Sequence, residues 1–204
     1  GEYEVTLTSS NQFYTSSKSK LNYVSIIDPV GADIQENFEG NNFPPAQWVM
    51  NNTLSNLSWE SVNVTQKDGQ NGKAAVSKND LSNINDMLSL TTLPIYIDEG
   101  LSNPYITFDL SYAANNSGID QYTGDELYLI VSSDCGENYS DTIFFKNGIN
   151  LVSTTSFNSP WIPSKAGDWK KESISLHPYI GQIIKISFLN KSFKGNRLYI
   201  DNIN

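Results

Sequence analysis

Through the second half of the chain, apolar side chains recur at every second position. In residues 104–112, Ile106, Phe108, Leu110 and Tyr112 alternate with Thr107, Asp109 and Ser111. Residues 125–133 set Leu127, Leu129 and Val131 against Tyr128 and Ile130, and residues 182–189 set Ile184, Ile186 and Phe188 against Lys185 and Ser187. Residues 196–203 do the same with Leu198 and Ile200 against Tyr199 and Asp201. A period of two sends successive side chains to opposite faces of an extended backbone, so each segment predicts a strand with one buried face. A buried aliphatic or aromatic side chain contributes about 1.5–3 kcal/mol, and four such strands supply most of a core. No comparable stretch keeps the i, i+3, i+4, i+7 stripe of an amphipathic helix, and β-branched and aromatic residues dominate the apolar runs. Asn and Ser make up about a quarter of the chain. They cluster with Gly in turns such as Lys67-Asp68-Gly69-Gln70-Asn71-Gly72 and Lys194-Gly195-Asn196. Many short strands joined by polar turns predict an all-β chain folded as a β-sandwich of antiparallel sheets.

Residues 1–28 read differently. Two strands, Glu2 to Ser9 and Leu21 to Ile27, surround a polar turn, and Asp28-Pro29-Val30-Gly31 marks a boundary. Two strands alone are marginal in water, so this hairpin is expected to be the remnant of a neighbouring domain. The expected division is a hairpin over 1–28, a linker over 29–35 and one sandwich over 36–204.

Charge and cysteine narrow the chemistry. With 13 Lys+Arg against 22 Asp+Glu the net charge is −9, and no basic cluster is available to meet a phosphate backbone, which argues against nucleic acid. No stretch approaches the ~20 apolar residues of a membrane-spanning helix. Cys135 is the single cysteine, so there is no internal disulfide, and it reads as a small buried hydrophobe. His177, also single, precedes Pro178 in a turn and reads as structural. There is no HExxH, no phosphate-cradling glycine loop and no G-x-S-x-G elbow.

The first eleven residues, Gly-Glu-Tyr-Glu-Val-Thr-Leu-Thr-Ser-Ser-Asn, followed by Asn22-Tyr23-Val24, resemble the closing strands of a PKD domain, an immunoglobulin-like module of extracellular bacterial proteins. The remainder, over about 36–203, resembles the cleaved adhesin or choice-of-anchor J family of jelly-roll modules, similar in layout to MAM domains. The resemblance is carried by Glu36-Asn37-Phe38-Glu39-Gly40, by Phe43-Pro44-Pro45-Ala46-Gln47-Trp48 and by Trp59. It continues through Gly124-Asp125-Glu126-Leu127-Tyr128, Trp169, Tyr179-Ile180-Gly181 and Leu198-Tyr199-Ile200-Asp201-Asn202-Ile203. Ala46-Gln47 stands where the family usually has a glycine, and Asn202 where a second aspartate is common.

The resemblance implies a jelly-roll sandwich that is a secreted or cell-surface bacterial module, non-catalytic and devoted to binding or adhesion. It also implies a place C-terminal to a pappalysin-type metalloprotease. The expected partner is an extracellular protein or glycan, or the catalytic domain of its own parent chain. A carbohydrate-binding module is the alternative, and a glycoside hydrolase working through paired carboxylates is a third reading.

Calcium is the expected cofactor, since jelly rolls tie their first and last strands with an ion that takes six to eight oxygens. Glu36 and Glu39 flank Phe38 near the start, and Asp201 lies on the last strand. Neighbouring carboxylates repel one another unless a cation or protons intervene. A second acidic group comprises Asp120 and Asp125, with Asp109 approaching from the adjacent strand. For sugar stacking the candidates are Trp161, in Ser-Pro-Trp-Ile-Pro, and Tyr122, both placed in loops, whereas Trp48, Trp59 and Trp169 are expected in the core.

Overall fold

A computed structural model describes residues 2–25, 27–52, 57–114, 124–155 and 160–204. The first two strands, β1 (Glu2–Ser10) and β2 (Thr15–Ser25), form an antiparallel hairpin. Its turn is held by Asn11, whose Oδ1 accepts hydrogen bonds from the Phe13 and Tyr14 amides at 2.9 Å each. Among the described residues neither strand pairs with another sheet, and β1 is exposed along its whole length.

Twelve further strands follow: β3 (Val30–Gly31), β4 (Trp48–Asn52), β5 (Glu60–Thr65), β6 (Asn71–Lys78), β7 (Met87–Thr92), β8 (Ile95–Tyr96), β9 (Tyr105–Tyr112), β10 (Glu126–Ser132), β11 (Asp141–Asn147), β12 (Lys170–Ser175), β13 (Ile183–Lys191) and β14 (Arg197–Asp201). One sheet runs β11-β10-β13-β7-β4, with β8 joined to β13 and β3 to β8; the other runs β12-β9-β14-β6-β5. From β4 onward the chain passes repeatedly from one sheet to the other; β5–β6 and β10–β11 pair with their sequence neighbours, while pairs such as β4–β7, β9–β14 and β10–β13 join strands distant in sequence. Every pairing is antiparallel except β3 with β8.

The alternation seen in the sequence sets the layers. Ile106, Phe108, Leu110 and Tyr112 of β9, Leu127, Leu129 and Val131 of β10, Ile184, Ile186 and Phe188 of β13, and Leu198 and Ile200 of β14 all lie in one buried cluster. Phe108 sits edge-on to Phe144 and Phe188, with ring centroids at 5.5 and 5.1 Å, the preferred approach of aromatic quadrupoles. Trp59 is wholly enclosed and donates its indole N–H to the Leu88 carbonyl at 3.1 Å. The opening and closing segments lie side by side, as expected. Glu36 and Ile203 exchange backbone hydrogen bonds of 2.9 Å, and Phe38 shares the core with Ile200.

Two local expectations change. Residues 29–35, expected as a linker, contribute β3 and bury Ile34 in the core. Cys135 is exposed rather than buried, because it occupies a turn at φ 63° ahead of Gly136 at φ 94°, outside the reach of either sheet's apolar face.

The outer face of the β12-β9-β14-β6-β5 sheet is covered by a strap, residues 160–169. Trp161 and Trp169 pack there on Val64, Ala74, Val76, Ala113 and Tyr199. Tyr199 donates its hydroxyl to the Trp161 carbonyl at 2.6 Å, and Trp169 donates its indole N–H to the Thr65 carbonyl at 2.8 Å. Buried Asp168 fixes the turn of the strap, accepting the Ser164 and Lys165 amides at 2.9 and 3.2 Å. Tyr199 and Asp201, which point away from the main core, are therefore buried as well.

Candidate functional site

At the start of β6 and the end of β14, oxygens from four chain segments gather. The Gln66 side-chain nitrogen lies 2.9 Å from Glu39 Oε1, 3.0 Å from Asp201 Oδ2 and 3.0 Å from the Lys73 carbonyl. Glu39 Oε1 also accepts the Lys73 amide at 2.6 Å. Asp109 is the register partner of Asp201 across β9 and β14, which puts two carboxylates side by side on one face. Their exposures are 5% and 0%, so neither charge is well hydrated. Burial raises the Asp201 carboxyl to about 7, and the negative charges of Asp109 and Glu39 act in the same direction. Two cations stand nearby, Lys67 Nζ at 3.9 Å from Asp109 Oδ1 and Lys73 Nζ on the Glu39 and Gly40 carbonyls at 3.3 and 3.0 Å, and the neutral amide of Asn202 donates to Asp109 Oδ2 at 3.0 Å.

The backbone is bent to make this clasp. Phe38 and Asn202 take left-handed conformations at φ 57° and 49°, which is costly for a bulky aromatic and milder for asparagine. Glu36 supports the first bend by accepting the Phe38 amide at 2.6 Å. Gly72 leaves the space the cluster fills, since a Cβ there would collide with the Gln66 side chain and Glu39 Oε1. Three oxygens, two of them from carboxylates, thus surround the Gln66 side-chain nitrogen, against the six to eight oxygens that a calcium ion takes. No group of three or more His, Cys, Asp or Glu side chains arranged to hold a metal occurs among the described residues. A cation here would therefore rely on the Lys73 carbonyl and the Gln66 amide oxygen as well as on Glu39 and Asp201.

Of the carboxylates singled out in the sequence, Glu39, Asp201 and Asp109 come together. Glu36 is engaged in its own turn. Asp125 lies elsewhere and has a different task. Wholly buried, it accepts the Phe193 and Gly195 amides at 2.7 and 3.2 Å and the Tyr112 hydroxyl at 2.9 Å, with Asn79 as a further donor. It ties the β13–β14 turn to β9. Burial raises its carboxyl group above the ordinary value despite these donors, and raises the Tyr112 hydroxyl too. Asp120 and Tyr122 lie outside the described residues. Trp161 is only 4% exposed, so the loop expected to present it to sugar instead turns it inward as the apolar plug of the strap. Gln66 and Lys73 escaped the sequence reading because an amide and a main-chain carbonyl carry no signal of their own; the Lys-Asp-Gly-Gln-Asn-Gly run between them reads only as a turn.

The sheet containing β10 and β13 keeps part of its outer face open. Phe145 on β11 is 47% exposed and pairs with Tyr128 on β10, ring centroids 4.6 Å apart and planes 34° from parallel. The same row continues across Leu189, Ser89 and Asn51. Beside it, Tyr128 donates its hydroxyl to Glu126 Oε2 at 2.7 Å, and Lys191 Nζ lies 3.4 Å from the same oxygen. Tyr128 appeared in the sequence only as an outward-facing strand residue, because nothing local tells an open outer face from a covered one.

No family model matches the sequence, and neither does any curated protein. Among solved structures, the chain is similar to the K3 cleaved adhesin domain of Lys-gingipain from Porphyromonas gingivalis w83, at 15% identity and TM-score 0.56, covering 84% of this chain and 97% of that one. The K2 domain of Lys-gingipain aligns at 16% identity and TM-score 0.53, over 83% and 95% of the two chains. TmCBM61, solved in complex with β-1,4-galactotriose, aligns at 17% identity and TM-score 0.51, over 82% and 92%. At such identities the likeness establishes the fold: a two-sheet β-sandwich of the kind found in adhesin and carbohydrate-binding modules.

Proposed function

We propose that this chain is a non-catalytic binding module of an extracellular protein, working through the open outer face of the β10–β13 sheet. The observation that carries this reading is the asymmetry of the two outer faces. One is closed by the Trp161–Trp169 strap, while the other leaves Phe145 47% exposed, with Tyr128 half-buried beside it. The likeness to adhesin domains supports the reading, and the likeness to a module solved with a galactotriose supports its carbohydrate-binding form. A hydrolase is disfavoured because the carboxylates that converge, Asp109 and Asp201, are closed to a sugar. Secretion, a PKD-like neighbour completing the leading hairpin and a parent metalloprotease belong to the same proposal, and rest on the sequence resemblance. Mass spectrometry of an oligosaccharide incubated with the chain tests the central point. Binding without cleavage is expected, and any turnover overturns it.

The clasp completes the proposal. Glu39, Asp201, the Lys73 carbonyl and the Gln66 amide would hold a structural calcium ion, which would neutralise the buried charge and pin the last strand to the first segment. With a dissociation constant of roughly 10⁻⁴ M in ~1 mM calcium, the ion would add about 1.4 kcal/mol. Thermal melts with and without a chelator test this: calcium should raise the midpoint of the wild type and leave Asp201→Asn unmoved. A wild-type midpoint indifferent to chelation removes the ion from the account.

A further inference from the structure

We propose that a small cavity lined by both the opening and the closing segments binds structural water, held by the indole N–H of Trp48 and the hydroxyl of Thr92. The site is independent of the binding-module reading and shares no residue with the calcium clasp. Its volume is about 30 Å³. Ala32 and Ile34 of the opening segment, Ile203 and Asn204 of the closing one, and Trp48 and Thr92 of the β4–β7 pair are among its walls. Trp48 is 3% exposed, and its Nε1 is buried with no hydrogen-bond acceptor among the described residues. The indoles of Trp59 and Trp169, by contrast, donate to main-chain carbonyls at 3.1 and 2.8 Å. An indole nitrogen can only donate, and a buried donor without an acceptor bears its full desolvation penalty.

Thr92 supplies the second partner. It is 1% exposed and stands directly opposite Trp48 in the register of β4 and β7. Its Oγ1 accepts the Ile186 amide at 3.0 Å, which leaves the hydroxyl proton to be donated. A water oxygen has two lone pairs, one for each of these donors. A cavity needs roughly 10–15 Å³ to hold one water molecule, so this one has room for about one or two. It falls far below the ~300 Å³ of a small-molecule pocket, which excludes an organic ligand. The other walls are mostly apolar, and a cavity with apolar walls alone stays dry. The two donors side by side are what distinguish this one. Water there links β4 to β7 at the place where the first and last segments of the sandwich meet.

Two measurements on the whole chain test the proposal. A crystal structure that resolves ordered solvent should show a water oxygen within about 3.2 Å of both Trp48 Nε1 and Thr92 Oγ1. In solution, the Trp48 indole proton should give a nuclear Overhauser cross-peak to long-lived water. Thr92→Val keeps the shape of the side chain but withdraws one of the two partners, and should weaken that cross-peak about fivefold or more. Both wild-type readings stand even where the variant fails to fold. A cavity without solvent density, an indole proton with no cross-peak to water, or a protein acceptor found on Nε1 overturns the proposal. An organic molecule in the cavity overturns the ligand class, and a cross-peak of full strength in a folded Thr92→Val chain overturns the assignment of Thr92.

Discussion

The carboxyl group of Asp201 titrates at about 7 because it is buried beside Asp109 and Glu39. In the unfolded chain the same group ionises near the ordinary aspartate value of about 3.9. Between about pH 4 and about pH 7 the folded protein thus holds a proton that the unfolded chain has lost, so without calcium stability falls as pH rises through that window. Denaturant midpoints across the range, in chelator, should show this decline, and Asp201→Asn should flatten it. Tyr199 offers a second residue-scale measurement. Its hydroxyl bond to the Trp161 carbonyl is enclosed, so Tyr199→Phe should cost about 1 kcal/mol in the same titrations. Asp201 was legible from the sequence as a carboxylate on a closing strand. Its partner Gln66 was not, since the two side chains meet across 135 positions of chain and no local pattern reports such a meeting.

The strap and the turn before β6 act as elements, and each can be removed without touching the other. Trp169 is 4% exposed and anchors the strap on the sheet. Trp169→Ala should cost about 3–5 kcal/mol and make the strap the first segment cleaved in limited proteolysis. Gly72→Ala should behave in the opposite way. The atoms it would strike are ends of the Gln66 and Glu39 side chains, which can move aside, so stability in chelator should shift by less than about 1 kcal/mol. Those ends are the cradle's donors, so calcium's effect on the melting midpoint should largely vanish. Trp161 shows why elements defeat a local reading. Ser-Pro-Trp-Ile-Pro has the composition of an exposed loop, yet the loop crosses an apolar sheet face and its tryptophan is the side chain large enough to fill it.

At the scale of the molecule, the hairpin of β1 and β2 shares no sheet with the sandwich, and Leu7, Phe13, Tyr14 and Leu21 are all more than 70% exposed. Deleting residues 2–27 should leave the calorimetric stability of the sandwich within about 0.5 kcal/mol, whereas Phe108→Ala, at the meeting of both sheets, should cost about 3–5 kcal/mol. The contrast separates two kinds of information. Which side of each strand faces the core was written in the sequence, because alternation is local and its energetic consequence is large at every position. That the opening and closing segments would lie side by side, Phe38 near Ile200, was anticipated too, while the Glu36–Ile203 bridge that joins them came from the structure. Only the tertiary structure decided which outer face the strap would cover, which carboxylates would share a clasp while Asp125 pinned a turn, and that Phe145 would stay exposed on the other face. Each of these depends on where long loops close over paired strands, and that is settled by contacts between residues far apart in the chain rather than by any residue's immediate neighbours.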